Sequence, residues 1–295
     1  MKIEPDVELS RFTTLGTGGP ARGFARPASV DELRGVLAWA AAEGLDAVPI
    51  GLGSNVLAAD EGVEALVVKL VGELAAVEVD GTILRAGGGA ANAVALHRAR
   101  AAELGGFEFA CAIPGTAGGG VRMNAGAYGG DWAGVLERAL VVRADGSEWR
   151  TPAELGLSYR HSDLRPGEVV AQVEFQLERR PAAEIKATIA ELQAERKAAQ
   201  PTNKRTFGSV FKNPVHELSA GRLLEACGLR GHRIGGAQIS PRHANFIENA
   251  DGARSGDAIA LMTEARRRAL EQFGVVLEHE VQLVGNLELP PAGET

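Results

Sequence analysis

Cysteine is nearly missing from this sequence. Cys111 and Cys227 are the only two and lie far apart, so neither a disulfide framework nor a CxxC metal or redox pair can be built. Such sparse thiol use fits a reducing compartment. Basic residues are also in deficit, 31 against 38 acidic ones, and the net charge of -7 argues against a nucleic-acid partner held through phosphate contacts. Any anionic ligand then needs a local basic cluster. No stretch approaches the roughly 18 uninterrupted apolar residues of a membrane span, and the opening MKIEPDVELSRF lacks the apolar core of a signal peptide. A cytoplasmic protein without membrane contact is expected. The 6 histidines form no HxH or HExxH pair, so no metal site is expected. Aromatics are scarce at 5%.

What the sequence has in quantity is glycine, 38 residues, much of it clustered where backbone comes close to a ligand. At 45% hydrophobic and 23% charged, 295 residues suffice for two globular domains. Ser29-Val30-Asp31-Glu32 reads as a capping box opening a helix that Gly44 closes. Short strands are expected at 47–50 and 65–70, a helix at 90–104, and hairpins about Asp80-Gly81 and Asp145-Gly146. A strand follows at 169–177. Residues 184–199 form a charged amphipathic helix, and the texture changes there, which places a domain boundary at Arg180-Pro181. Beyond it come helices near 218–227 and 255–273, strands within 236–249, a last strand over 275–284, and a frayed tail after Leu287. Without regular βαβ alternation this is α+β.

Five segments carry the chemistry. Gly51-Leu52-Gly53-Ser54-Asn55-Val56-Leu57 lets successive N–H groups converge on an anion such as a pyrophosphate, although a plain turn fits the spacing equally well. GxGxxG is absent there and no helix follows at once, which weakens a Rossmann reading. Residues Ala112 to Gly120 (AIPGTAGGG) and Met123 to Gly129 (MNAGAYG) form two glycine loops able to line a long flat ligand. Thr206-Phe207-Gly208-Ser209-Val210-Phe211-Lys212-Asn213-Pro214, with Lys204 and Arg205 beside it, supplies the basic cluster a phosphorylated substrate needs. Leu157 to Ser162 (LSYRHS) holds Arg160, and Glu280 interrupts an apolar strand. Taken singly, Ser209 reads as a turn serine, Arg160 as a surface arginine, and Glu280 as facing solvent.

Together with Thr14-Leu15-Gly16-Thr17-Gly18-Gly19, GHRIGGAQIS, HANFIEN and LEHEVQLVG, these segments run in one order. In that order they resemble the UDP-N-acetylenolpyruvoylglucosamine reductase family over almost the whole chain. The resemblance implies a flavin-binding region of the vanillyl-alcohol-oxidase (PCMH) type over 1–180, in two α+β subdomains of about 1–70 and 71–180. A substrate-binding α+β domain would occupy 181–295. It implies non-covalent FAD held by Gly51, Gly53, Ser54, Asn55, Val56, Leu57, Ile113, Pro114, Gly115, Gly118, Gly119, Asn124, Gly126, Ala127 and Tyr128. NADPH is the co-substrate and a UDP-sugar the substrate, held by Lys212, Asn213, Arg233 and His243. Arg160, Ser209 and Glu280 are the implied catalytic trio, in a monomer. The stretch between Arg160 and Ser209 is too short for the tyrosine loop of the longer family form. Two positions depart from the pattern: Ala199 stands where a lysine is usual, with Lys197 as its substitute, and Gln282 replaces a basic residue.

The implied chemistry adds hydride to the vinyl carbon beta to a carboxylate, where negative charge must be stabilised as it develops. Arg160 suits that charge, Glu280 suits it if protonated, and Ser209 is expected to protonate the alpha carbon. A flavin oxidase of the same fold, acting on a sugar or alcohol, is the alternative enzyme, but has no use for that proton donor. A non-enzymatic flavin carrier leaves all three residues without work.

Overall fold

The computed structural model describes residues 2–293. By internal contacts the chain divides into two compact units. The first comprises 2–5, 23–52 and 64–196, and the second 6–22, 53–63 and 197–293.

Helix α1, Val30–Ala42, begins as its sequence predicts. The Ser29 hydroxyl accepts the Glu32 N–H at 3.2 Å, while the Glu32 carboxylate takes the Ala28 N–H at 2.7 Å rather than that of Ser29. Its face of Leu33, Val36, Leu37 and Ala40 packs with Leu66, Val68, Val142, Val169 and Ala171. That core draws on residues from both sides of the expected subdomain border near 70. Asp46–Pro49 pairs in parallel with Ala65–Val68. An antiparallel sheet forms the unit's other half, in the order Gly146–Arg150, Leu136–Arg143, Val169–Gln176, Ile83–Gly87, Val77–Asp80. Both hairpins form, each with its two-residue loop one position from expectation, at Gly81-Thr82 and Ala144-Asp145. Gly81, at φ +63°, takes the left-handed position of the first.

Helix α2, Asn92–Ala101, is shorter than expected because Glu103 turns at φ 57° and Leu104–Gly105 pairs with Glu178–Arg179. Helix α3, Ala117–Arg122, falls where the glycines predicted only loop: Thr116 caps it by accepting the Gly119 N–H at 3.4 Å. Helix α4, Ala182–Ala199, buries Ile185 and Ile189 in a core with Phe107, Trp132 and Phe175. By contacts, most of it therefore groups with the first unit, which runs to residue 196.

The second unit holds a sheet in the order Thr206–Ser209, Phe246–Asn249, Ala237–Ile239, Arg233–Ile234. With it go helix α5, Ala220–Ala226, and helix α6, Ser255–Phe273, which ends on the left-handed Gly274. Two early segments join them. Val56–Ala58 pairs in parallel with Gln282–Val284, and Leu15 and Leu57 share a core with Leu223, Leu261 and Met262. The Asp60 carboxylate accepts the Ser255 N–H at 2.6 Å and its hydroxyl at 2.9 Å. The expected strand over 275–284 shrinks to Gln282–Val284, since only those residues find a full partner. Leu287 and Leu289 pack on the core instead of fraying.

On α6, Arg267 and Arg268 clamp the Glu264 carboxylate at 2.6–2.9 Å and hold its pKa at about 2, with Arg267 contributing most. A folded pKa below the unfolded value stabilises above pH 4.5 and is lost as pH falls toward 2. We expect Glu264→Gln to cost on the order of 2 kcal/mol at pH 7. That difference from wild type should vanish near pH 2 in denaturant titrations.

Candidate active site

In the first unit a narrow cleft of about 60 Å³ lies beside the expected cofactor loops. One wall is bare backbone from Gly51, Gly88, Gly89, Gly118 and Gly119, and the other is apolar, from Leu70, Leu164, Val169 and Val170. The walls approach so closely that a Cβ on Gly88 would lie 1.9 Å from the Val170 carbonyl oxygen. Gly119 differs: its missing Cβ would meet nothing nearer than the Thr116 hydroxyl at 3.5 Å. Lys69 sits under the first loop, its ammonium donating to the Gly51 carbonyl at 2.6 Å, and burial followed by the charge of Arg26 lowers its pKa. Arg122 lines the cleft as a half-buried cation whose pKa burial lowers against the opposing pull of Glu168. Burial pushes the Glu168 carboxyl up, but the Arg150 guanidinium, at 2.6 and 3.0 Å, outweighs this and holds it below the usual range.

Close to the cleft in sequence, two loops are tied into one frame. Asn124, Tyr128 and Arg160 all adopt left-handed backbone, at φ 37°, 51° and 54°. Such strain in non-glycine residues concentrates where function fixes the backbone. The Asn124 amide donates to the Ser158 carbonyl at 2.9 Å and accepts the Ala133 N–H at 2.9 Å. Arg160 donates to the Gly126 carbonyl at 2.6 Å and lies over the Tyr159 ring at 5.1 Å. Gly126–Ala127 pairs with Gly130–Asp131, presenting Tyr128 at the hairpin tip, 43% exposed.

In the second unit the Ser209 and Glu280 segments run side by side. The Glu280 N–H donates to the Val210 carbonyl at 2.8 Å, and the Lys212 N–H to that of Glu278 at 2.9 Å. Asn245 clips the same segment from behind, its side-chain amide accepting the Phe211 N–H at 2.9 Å and donating to the Phe211 carbonyl at 2.8 Å. Asn55 reaches the Glu280 carbonyl at 3.2 Å, as does the Gln282 amide. Gly53 needs its missing side chain: at φ +66° a Cβ would lie 2.0 Å from the Phe12 carbonyl oxygen.

A family model described as UDP-N-acetylenolpyruvoylglucosamine reductase, C-terminal domain, matches residues 200–284, and one described as FAD binding domain matches residues 21–151. Over 293 residues the chain is 43% identical to UDP-N-acetylenolpyruvoylglucosamine reductase 2 of Symbiobacterium thermophilum, covering 98% of this chain and 95% of that one. The chain belongs to the UDP-N-acetylenolpyruvoylglucosamine reductase family. A second reductase, from Anaeromyxobacter dehalogenans, is 43% identical over 97% of this chain and 86% of its own. The crystal structure of the Thermus caldophilus reductase superposes with a TM-score of 0.85 at 37% identity, over 96% of this chain and 99% of that one.

Within the reductase family's pattern, the expected residues fall into distinct duties. Gly51, Gly118 and Gly119 line the cleft. Ile113, Pro114 and Gly115 precede α3: Asn92 holds the Ile113 carbonyl at 3.1 Å and the Asn92 N–H the Gly115 carbonyl at 3.0 Å. Val56 and Leu57 are strand residues, and the side-chain amides of Asn55 and Asn124 donate to the Glu280 and Ser158 carbonyls. Ser54 is half-buried beside Gly208, whose Cβ would lie 3.3 Å from the Ser54 carbonyl oxygen. Lys212 pairs with Glu278 at 2.5 Å, while the Asn213 side-chain oxygen accepts the Ala220 N–H at 3.1 Å at the start of α5. Arg233 is exposed. His243 packs edge-on to Phe246, and burial, then the charge of Arg230, lowers its pKa. Ala199 ends α4, with Lys197 exposed on the same helix. Cys111 is half-buried against the core, where burial raises its thiol pKa.

Sequence reasoning passed over Lys69, Arg122, Glu168 and the glycines at 88 and 89. The signals were there: three glycines end a strand at 87–89, and Lys69 interrupts an apolar run. The cleft suits FAD on its own terms. Gly119 leaves open space beside its backbone, Arg122 in the lining and Lys69 behind the first loop suit a diphosphate, and the apolar wall suits a flat ring.

Proposed function

We propose that this chain reduces UDP-N-acetyl-3-O-(1-carboxyvinyl)-glucosamine to UDP-N-acetylmuramate for peptidoglycan synthesis, with NADPH as electron donor. Non-covalent FAD, when bound, supplies the hydride, taken from NADPH and passed to the vinyl carbon beta to the substrate carboxylate. The observation that carries the reading is the Ser209–Lys212 segment laid against Glu278–Glu280, which puts a hydroxyl and a carboxyl on neighbouring backbone in one unit.

Each residue then has a defined task. Arg160, fixed by the Gly126 carbonyl, is assigned the negative charge that the substrate carboxylate takes up as hydride arrives. Glu280, as a neutral acid, donates a hydrogen bond to the same charge. The Ser209 hydroxyl gives its proton to the alpha carbon, completing the saturated lactyl ether. Gly51, Gly118, Gly119 and Lys69 are assigned the cofactor's phosphates. Lys212, Asn213, Arg233 and His243 are assigned the sugar nucleotide, Lys212 and Arg233 serving its phosphates. The enzyme acts as a monomer in the cytoplasm, where both nucleotide substrates are made, and through the cell wall it serves cell shape and division.

The visible spectrum tests this directly. NADPH added without oxygen should bleach the flavin bands of the purified protein, and the enolpyruvyl sugar should then restore them. Restoration by oxygen with no response to the sugar would instead make the protein an oxidase.

A further inference from the structure

Register across the second unit's sheet places Arg233 opposite Gln238, Gln238 opposite Glu248, and Glu248 opposite Thr206. Directly opposed residues share a face, so these four form a polar row across all four strands. Ser209 stands opposite Phe246, two residues before Glu248, and therefore shares that face about 7 Å along the strand. The reverse face, with Ala237, Ile239 and Ile247, packs into the core with Leu261 and Met262 of α6.

Glu248 is the anomaly in this row. It is only 4% exposed, yet among the described residues nothing donates a hydrogen bond to its carboxylate. The other buried glutamates are each held by arginine: Glu108 by Arg180, Glu168 by Arg150, and Glu174 by Arg85 and Arg138. The Thr206 hydroxyl across from Glu248 is likewise buried without a partner. The Gln238 amide nitrogen donates to the Gly231 carbonyl at 3.0 Å, which leaves its carbonyl oxygen for another donor. The enclosed Thr206 hydroxyl is costly unless a partner satisfies it, and the Glu248 carboxylate beside it has spare acceptors with no protein donor among the described residues.

We propose that the Gln238, Glu248 and Thr206 part of this row, away from Arg233, is a sugar-hydroxyl subsite, in which Glu248 accepts hydrogen bonds from hydroxyl groups of the bound sugar nucleotide and Thr206 assists. This rests on the reading of Ser209 as part of the substrate site. The chemistry selects the ligand group. A carboxylate beside a threonine hydroxyl and an amide oxygen repels phosphate and accepts from neutral O–H or N–H donors. A sugar nucleotide offers such donors on its ribose and on its hexosamine.

Calorimetric titration of the oxidised, flavin-loaded enzyme with UDP and with UDP-N-acetylglucosamine tests the subsite. Neither probe carries the enolpyruvyl group, so the result is independent of whether the wild type reduces that group. We expect Glu248→Ala to weaken UDP-N-acetylglucosamine by about tenfold or more, the loss expected for a hydrogen bond to a charged group. Glu248→Gln, which keeps the outline and one acceptor oxygen, should recover part of the loss. If UDP alone is weakened equally, the hydroxyls are those of the ribose; if UDP is unaffected, they belong to the hexosamine. Wild-type affinity for both probes in the two variants would overturn the proposal. So would a loss accompanied in both by reduced flavin content and a lower unfolding midpoint, since that marks a structural role.

Discussion

Replacing Ser209 by alanine is expected to leave flavin reduction by NADPH at the wild-type rate and to slow the return of electrons to the enolpyruvyl sugar by about 10²–10⁴-fold or more. The contrast follows from what the hydroxyl does. NADPH gives up hydride with no proton needed from Ser209, whereas the sugar half-reaction ends with a proton on carbon. The backbone around Ser209 is held by groups that alanine keeps: the Val210 N–H to the Asn245 carbonyl at 2.9 Å, and the Val210 carbonyl to the Glu280 N–H at 2.8 Å. A half-buried serine-to-alanine change in that frame removes one oxygen and little else. Stopped-flow absorbance of the flavin separates the two half-reactions. Equal slowing of both would assign Ser209 to cofactor placement and take the proton donor elsewhere.

Local signals in the sequence carried the secondary structure well. Ser29 and Glu32 mark the start of α1, Gly274 the end of α6, and the two Asp-Gly pairs their hairpins, because each is decided within a few residues. What the sequence concealed is decided by partners far away. Nothing local tells that 6–22 and 53–63 belong with the C-terminal region; that follows from Val56–Ala58 meeting Gln282–Val284 and from Asp60 meeting Ser255. The site shows the same division. Resemblance placed Asn55 and Asn124 at the cofactor, but it carries positions and not directions, and their side-chain amides brace the Glu280 and Ser158 carbonyls. Glu248 read as one more letter of HANFIEN until cross-strand register gave it neighbours. Arg122 became visible as a site residue only when the cleft brought glycines from 51, 88 and 118 together beside it, and Lys69 only through its hydrogen bond to the Gly51 carbonyl.

The adjacent glycines of α3 should respond in opposite ways to the same methyl group. A Cβ on Gly120 would sit 2.2 Å from the Trp132 ring. That ring has no room to yield, being fully buried with edge contacts to Phe107, Phe109 and Phe175 at centroid separations of 5.4–6.1 Å. Gly120→Ala should therefore destabilise the fold by about 3 kcal/mol, lowering the unfolding midpoint by roughly 6–12 °C whether or not flavin is present. Gly119 faces the cleft, with ordinary contact distance to its one neighbour. Alanine there gains up to about 1 kcal/mol of helix propensity, so the flavin-free protein should be as stable as wild type or slightly more so. The same methyl group stands where the cofactor's phosphates are assigned, and flavin affinity should fall by about tenfold or more, a cost of about 1.4 kcal/mol. Equilibrium dialysis of the flavin-free proteins against FAD, beside their melting curves, reads both quantities. A Gly119→Ala protein that binds FAD as tightly as wild type would mean that the cofactor does not lie against α3, and the glycine wall of the cleft would need another occupant.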